Sequence, residues 1–321
     1  MTQDNSSRLA ADLEALMNVS TRIEAIQTAD PVLAQVEMGE IIRHVAGRHA
    51  VLHCNYNGLD AVLRLSMGAR DIGLDQTWTE MNRLWPHMKT GRLTMAQPLY
   101  YAPDHGALIV SHAPGRSLFD LARSLAPKDA TPALAEAAHW LRRATLDSEE
   151  HRAARPGPWL KRAQATSAKQ PFADLQGLEA EIITILQVLA GCISSLEWRV
   201  AIIHGDFHPG NLLRSDDHLT GIDFGGSHSL PIYKDMARCL MHLGRRGILP
   251  SGQSWMGVDA RLADAFVDAF QLGPEERGTI LPFFLGVEAI LRVERRDLPA
   301  RRLSRARQMY ERLLSDLQRL G

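Results

Sequence analysis

Three hundred and twenty-one residues, 45% of them hydrophobic and 23% charged, suffice to bury two cores, and a formal net charge of −1 gives no global field for recruiting nucleic acid. The opening Met1-Thr2-Gln3-Asp4 is polar and lacks the basic-then-apolar pattern of a secretory signal, while the longest apolar stretch, residues 182–193, contains Thr184 and Gln187 and is too short to span a bilayer. Cys54, Cys192 and Cys239 are scattered and odd in number, as reduced core thiols are, so the expectation is a cytoplasmic monomer or homodimer with no nucleic-acid and no membrane partner.

Apolar spacing and cap residues predict helices over residues 7–26, 77–88, 117–126, 132–147, 178–196, 234–243 and 260–270, with two more near the C-terminus. In the first, Leu9, Leu13, Leu16, Ile23 and Ile26 recur at mostly helical spacing, a face expected to pack on a domain rather than to form a dimer stripe. An Asn57-Gly58 turn precedes a strand at 61–65, and an apolar strand at 107–112 runs into Pro114-Gly115. Pro156-Gly157-Pro158 and Gln170-Pro171 break the helical half of the chain. A strand at 200–203 then leads into His204-Gly205-Asp206-Phe207-His208-Pro209-Gly210-Asn211. Two short strands, 212–213 and 219–222, flank a turn at Asp216-Asp217-His218 and end at Asp223-Phe224-Gly225.

This last region carries the chemistry. Phosphoryl transfer passes through a loose transition state, so a protein mainly positions the reactants and neutralises spreading charge. Mg²⁺ prefers hard oxygen ligands and keeps several waters, so one carboxylate and one amide oxygen, together with nucleotide phosphates, suffice to hold it. Asp223 and Asn211 are of that type, and Asp206, five residues before the Asn, is placed to accept a hydrogen bond from an attacking hydroxyl. His204 and His208 with Asp206 also suggest a zinc site, but the turn at Pro209-Gly210 separates the two imidazoles in a way no helix face would. Asp216 and Asp217 read as solvated turn residues.

The His-Gly-Asp, four residues, Asn pattern, followed by Ile222-Asp223-Phe224, resembles the aminoglycoside phosphotransferase and choline kinase group of small-molecule phosphotransferases. The resemblance implies an α+β, protein-kinase-like two-lobed fold: a leader at 1–30, a nucleotide-binding N-lobe with an antiparallel sheet at 31–113, and a mostly helical C-lobe at 114–321. It implies Asp206 as catalytic base, Asn211 and Asp223 as Mg²⁺ ligands, and His204 and Asp235 as supports of the catalytic loop, although Asp235 also suits a helix first turn. Arg64 stands where the family carries a phosphate-binding Lys, and Glu80 where its ion-pair Glu lies, so an Arg64–Glu80 clamp is expected. Ser111, His112 and Ala113 would edge the base of ATP, or of GTP. One departure is plain: around residues 41–53 the only glycine is Gly47, flanked by Arg48 and His49, where a glycine-rich nucleotide loop is expected.

Eleven residues separate Asp223 from Asp235, too few for the activation segment on which protein kinases dock polypeptides, so the expected acceptor is a small hydroxylated molecule. The arginines at 292, 295, 296, 301, 302, 305 and 307 disfavour a polycationic drug and favour a neutral, zwitterionic or anionic metabolite. Trp140, Trp159, Trp198 and Trp255 are expected in the core rather than on a substrate ring. The alternative is a nucleotide-binding pseudokinase of the same fold, for which the poor glycine loop and Arg64 speak and against which the intact trio Asp206, Asn211 and Asp223 speaks.

Overall fold

The computed structural model describes residues 2–68, 71–216 and 218–320, with side chains from residue 14 onward apart from residue 15; Leu9, Leu13 and Asp217 therefore lie outside what is described. The chain divides into two compact units, residues 1–89 with 95–113, and residues 90–94 with 114–321.

In the first unit, helix α1 (Thr2–Ala29) precedes strands β1 (Glu37–Val45), β2 (His49–Tyr56) and β3 (Leu59–Ser66), followed by α2 (Ile72–Met88). After β4 (Leu93–Met95), which pairs within the second unit's sheet, come β5 (Pro98–Ala102) and β6 (Ala107–Ser111). The five-stranded sheet runs β1-β2-β3-β6-β5 and is antiparallel throughout. Asn57 and Gly58 both take positive φ, 54° and 81°, the backbone twist a two-residue hairpin needs. Region 41–53, expected as a covering loop, is instead a tight hairpin turning at Gly47, φ 67°.

Strand alternation sends Ala61, Leu63 and Leu65 to one face of the sheet, where Val19 and Ile26 of α1 pack on them with Leu52 and Ile109. Leu16, expected on the packed face, is 47% exposed; Val19, Ile23 and Ile26, at i, i+4 and i+7, make the contact instead. Arg22 pins the helix by donating to Gly68 O at 3.1 Å and His105 O at 2.8 Å. Helix α2 starts five residues before its predicted position because Asp71 caps it, accepting from Gly73 N at 2.9 Å.

The second unit contains β7 (Arg116–Ser117), α3 (Leu118–Ser124), α4 (Pro127–Thr145), β8 (Glu150–Ala153), α5 (Gly157–Ser167), α6 (Ala173–Ile193), β9 (Glu197–Ile203), β10 (Leu212–Ser215), β11 (His218–Gly221), β12 (His228–Pro231), α7 (Tyr233–Gly244), β13 (Ser254–Trp255), β14 (Val258–Asp259), α8 (Ala260–Phe270), α9 (Leu281–Ile290) and α10 (Ala300–Leu317). Helix α4 begins with Pro127 at its first turn, so Pro132, predicted to open it, sits inside and costs one backbone hydrogen bond. The Pro-Gly-Pro break at 156–158 opens α5, a helix the apolar spacing does not predict. By length and composition α6 can cross a membrane, since the helix starts well before the apolar run at 182–193. Its Leu175, Glu179, Ile182, Leu186 and Ile193 are buried, and it packs on α5, α9 and α10.

Two polar networks cross this helical core. Arg245, 6% exposed, binds Glu294, Ala289 O and Tyr310, and the Tyr310 hydroxyl donates toward Glu179 at 2.7 Å. Arg199 forks onto Glu276 at 2.8 and 3.0 Å, and Tyr233 donates to the same carboxylate at 2.6 Å. Paired this way, the buried charges are hydrogen-bonded rather than isolated.

Candidate active site

Strand β9, held between β8 and β12, ends at Ile203 and releases His204-Gly205-Asp206. Gly205 has φ +84°, and a Cβ there would lie 1.8 Å from Gly226 O, so only glycine lets the loop after Asp223 close against this turn. Two further bonds join the two loops, and a third braces the first. The Nε2 of His204 meets Ile222 O at 2.9 Å, Ile222 N donates to Asn211 O at 3.0 Å, and Asn211 Nδ2 donates to Asp206 O at 3.0 Å. With its amide nitrogen bonded to the Asp206 carbonyl, buried Asn211 keeps its side-chain oxygen as an acceptor.

His204 sits in an aromatic nest of Trp140, Phe207 and Phe224, with ring centroids 4.9 to 6.1 Å away. Bonding to a carbonyl fixes its Nε2–H tautomer and leaves Nδ1 buried with no partner among the described residues. Trp140 is itself a core residue, stacked on Phe207 at 5.7 Å and donating to Thr94 O at 2.7 Å.

Asp223 is exposed and left-handed, φ 63°, a conformation Asp tolerates better than most side chains. Asp235, fully buried on the first turn of α7, accepts Gly205 N through both oxygens at 3.2 and 3.1 Å, while Lys234 Nζ donates to Gly205 O at 2.7 Å. The turn before Asp206 is thus held at its amide and its carbonyl by consecutive residues of one helix.

The same helix supplies the residue that the sequence analysis missed. Arg238 donates from Nε and Nη2 to Asp206 Oδ1 at 3.1 and 2.8 Å, and from Nη1 to Glu288 at 3.2 Å. Its signal was available: it follows Asp235 by three positions and so shares its helix face. Burial alone pushes the Asp206 carboxyl up, but the hydrogen bonds and charge of Arg238 outweigh it and hold the group below the usual carboxylate range. On the other side His208 accepts Gly210 N at its Nδ1, 3.1 Å, and presents Nε2 3.7 Å from Asp206 Oδ2. Burial, ahead of its charged neighbours, lowers the His208 pKa. Among the described residues no three His, Cys, Asp or Glu side chains form a metal cage, which sets the zinc alternative aside. An Asn–Asp pair fits a cation such as Mg²⁺ that takes its remaining oxygens from phosphates and water.

The other predicted residues lie in the first unit. Arg64 stands on β3 opposite Val51 and Leu108. Glu80 of α2, 6% exposed, receives Arg83 in a two-pronged pair at 2.8 and 2.7 Å. The expected Arg64–Glu80 clamp is therefore not the pairing found at Glu80, because an arginine three positions along the same helix reaches the carboxylate with little entropy cost. At the end of β6, Ser111 N donates to Gln97 O and His112 N to Asp60 O, at 2.9 and 3.0 Å.

Residues 42–279 match the phosphotransferase enzyme family, APH. The chain belongs to this family. Among curated proteins, the APH chain is 31% identical over 182 residues to a glucosamine kinase of Streptacidiphilus jiangxiensis, covering 56% of this chain but only 35% of that protein. The solved structures it resembles include amicoumacin kinase hAmiN in complex with AMP-PNP, Ca²⁺ and Ami, at TM-score 0.59 and 14% identity, covering 94% of this chain and 99% of that one. Aminoglycoside phosphotransferase APH(4)-Ia superposes at TM-score 0.58 with 15% identity, covering 94% and 99%. A glucosamine kinase in complex with glucosamine, ADP and inorganic phosphate superposes at TM-score 0.58 with 16% identity, covering 89% and 84%. The APH fold of the chain, an antiparallel N-terminal sheet followed by a helical C-terminal part, is common to all three.

Proposed function

We propose that this APH-family protein is a small-molecule kinase that moves the γ-phosphoryl group of ATP, or GTP, to a hydroxyl of a small acceptor. The observation that carries the proposal is the second-unit loop in which Asp206 is held ionised by Arg238 while Asn211, bonded to its backbone, offers an amide oxygen. Solved neighbours of this fold include complexes with ADP and AMP-PNP, which supports a nucleotide donor.

In the proposed reaction the acceptor hydroxyl donates a hydrogen bond to Asp206, which orients its oxygen toward the γ-phosphorus. A new P–O bond forms to that oxygen as the bond to the β-phosphate oxygen breaks, and the hydroxyl proton passes to Asp206 and then to solvent. Bound Mg²⁺ would neutralise the phosphate charge, with Asn211 and Asp223 as its ligands from the protein. By the family resemblance, Arg64 would supply a positive charge for the phosphates. Asp235, Lys234 and His204 hold the loop still, so that little reorganisation accompanies transfer.

The test is incubation with γ-labelled nucleotide and pooled cell extract, followed by mass spectrometry of newly phosphorylated metabolites. Label in a small molecule, lost in an Asp206→Asn variant, is the expected result. Label on polypeptide, or none anywhere, removes the proposal. One observation supports a binder without transfer: the Glu80 carboxylate is paired with Arg83 of its own helix. Thermal stabilisation by ATP that is indifferent to Mg²⁺, with no transfer, would select that second reading.

A further inference from the structure

Beside Asp206 the second unit gathers more positive charge than it neutralises. Arg238, Met241, His242, Arg245 and Arg246 of α7 and the turn after it face Glu288 of α9 and Arg292 just beyond that helix, around a gap of about 10 Å³. Three carboxylates reach this cluster and all are taken: Asp206 and Glu288 by Arg238, and Glu294 by Arg245. Among the described residues Arg246 meets the His242 carbonyl, at 2.7 Å, and the Phe119 ring, 5.1 Å away, and no carboxylate within ion-pair distance. Arg292, exposed, makes no hydrogen bond or ion pair among the described residues.

Resting on the kinase reading above, we infer that Arg292 and Arg246 form an anion-recognition wall of the acceptor site, so that the molecule phosphorylated at Asp206 carries a carboxylate or phosphate beside its reacting hydroxyl. Neither guanidinium has a carboxylate within hydrogen-bonding reach among the described residues, although Glu294 pulls on both and Asp206 on Arg292, and a forked anion is the group a guanidinium fork matches. The present gap has room for about one water. Since Arg292 has no bond to break, admitting an anion requires only that its side chain swing.

The electrostatics agree. Burial and then the repulsion of Arg292, Arg245 and Arg302 lower Arg246 to about 10 against the pull of Glu294, and Arg292, exposed overall but partly covered, is lowered first by that cover and then by Arg245, against Glu294 and Asp206. His242, half-buried and stacked on His208 at 4.5 Å, is driven by desolvation and then Arg246 to about 2 and adds no charge of its own. A cationic amino sugar, the substrate that the matched glucosamine kinase's name gives for that protein, would meet repulsion at this wall.

The inference is tested with three polyols of similar size: gluconate, glucose and glucosamine, which are anionic, neutral and cationic. Their binding to the full-length protein is measured by calorimetry, and transfer to each from MgATP is measured separately. Gluconate is expected to bind about tenfold or more tighter than glucose, the scale of a hydrogen bond to a charged group, and glucosamine weakest. Arg292→Gln should remove most of that preference, while Arg296→Gln, an equal charge loss at an exposed position outside the gap, should keep it. Equal affinities, a preference for glucosamine, no binding of gluconate at millimolar concentration, or a preference that survives both Arg292→Gln and Arg246→Gln overturns the inference. Transfer favouring glucosamine would sink the anion wall and spare the kinase; charge-selective binding with no transfer from any nucleotide would do the reverse.

Discussion

Arg238 places two nitrogens on a single oxygen of Asp206, at 3.1 and 2.8 Å, leaving the other oxygen toward His208. A carboxylate held this way stays charged at neutral pH and is a weak base, suited to orienting a hydroxyl rather than to deprotonating it in advance.

The pH dependence follows from that pair. Asp206 has a folded pKa below its unfolded value near 3.9, so the pair's stabilisation is present above that value and is lost as pH falls through the lowered folded pKa. In Arg238→Gln, burial acts without the opposing charge and the Asp206 pKa rises. The acid limb of the kcat/KM profile is therefore expected to move to higher pH. A limb that stays in place would assign the titration to another group.

Asp206→Asn keeps the shape of the loop and removes the base. Transfer is expected to fall by a factor on the order of 10² to 10⁴, with nucleotide affinity by calorimetry close to that of the parent. Turnover that survives the substitution would take Asp206 out of the chemistry.

Gly205→Ala puts a methyl where Gly226 O already sits, 1.8 Å from the new carbon, at φ +84°. The left-handed backbone alone costs about 1–2 kcal/mol, and the clash adds to it. Urea denaturation should show a loss beyond that range, or activity should vanish because the two loops have separated. A variant of parental stability and rate would show that the turn does not need glycine.

Arg245→Met removes one partner of a buried ion pair and strands Glu294, which is 7% exposed. A loss of about 3–5 kcal/mol in unfolding free energy is expected, much of it recovered when Glu294→Gln is added, since the penalty comes from the unpaired charge. Equal losses in the single and double variants would place the cost in packing instead.

Several of these relationships were within reach of the sequence. The spacing of Asp206, Asn211 and Asp223 identified the loop because all three are carried by adjacent local structures, a strand end, a tight turn and a hairpin, whose backbone conformation is set by near neighbours. Asn57-Gly58 was legible for the same reason: both residues accept positive φ, and the hairpin register followed. The start of α2 and the opening of α5 were not predicted, because a cap at Asp71 and a proline at 158 act over one turn and leave the apolar spacing unchanged. The pairing expected for Glu80 failed in another way. Two residues with suitable charges were matched across elements when a third, Arg83, stood closer on the same helix.

Chain order alone was sufficient for the family resemblance and for singling out the candidate oxygen ligands, since each depends on residue type and short spacing; the need for glycine at position 205 came from the approach of Gly226, 21 positions away. Folding was needed to choose partners. Arg238 meets Asp206 across 32 positions, Gly205 meets Asp235 across 30 and Arg245 meets Glu294 across 49. No periodicity in the chain encodes those separations. They arise because burying the apolar faces of α7 and α9 against each other also fixes which charges share their polar edge, and there an ion must find a partner or remain costly.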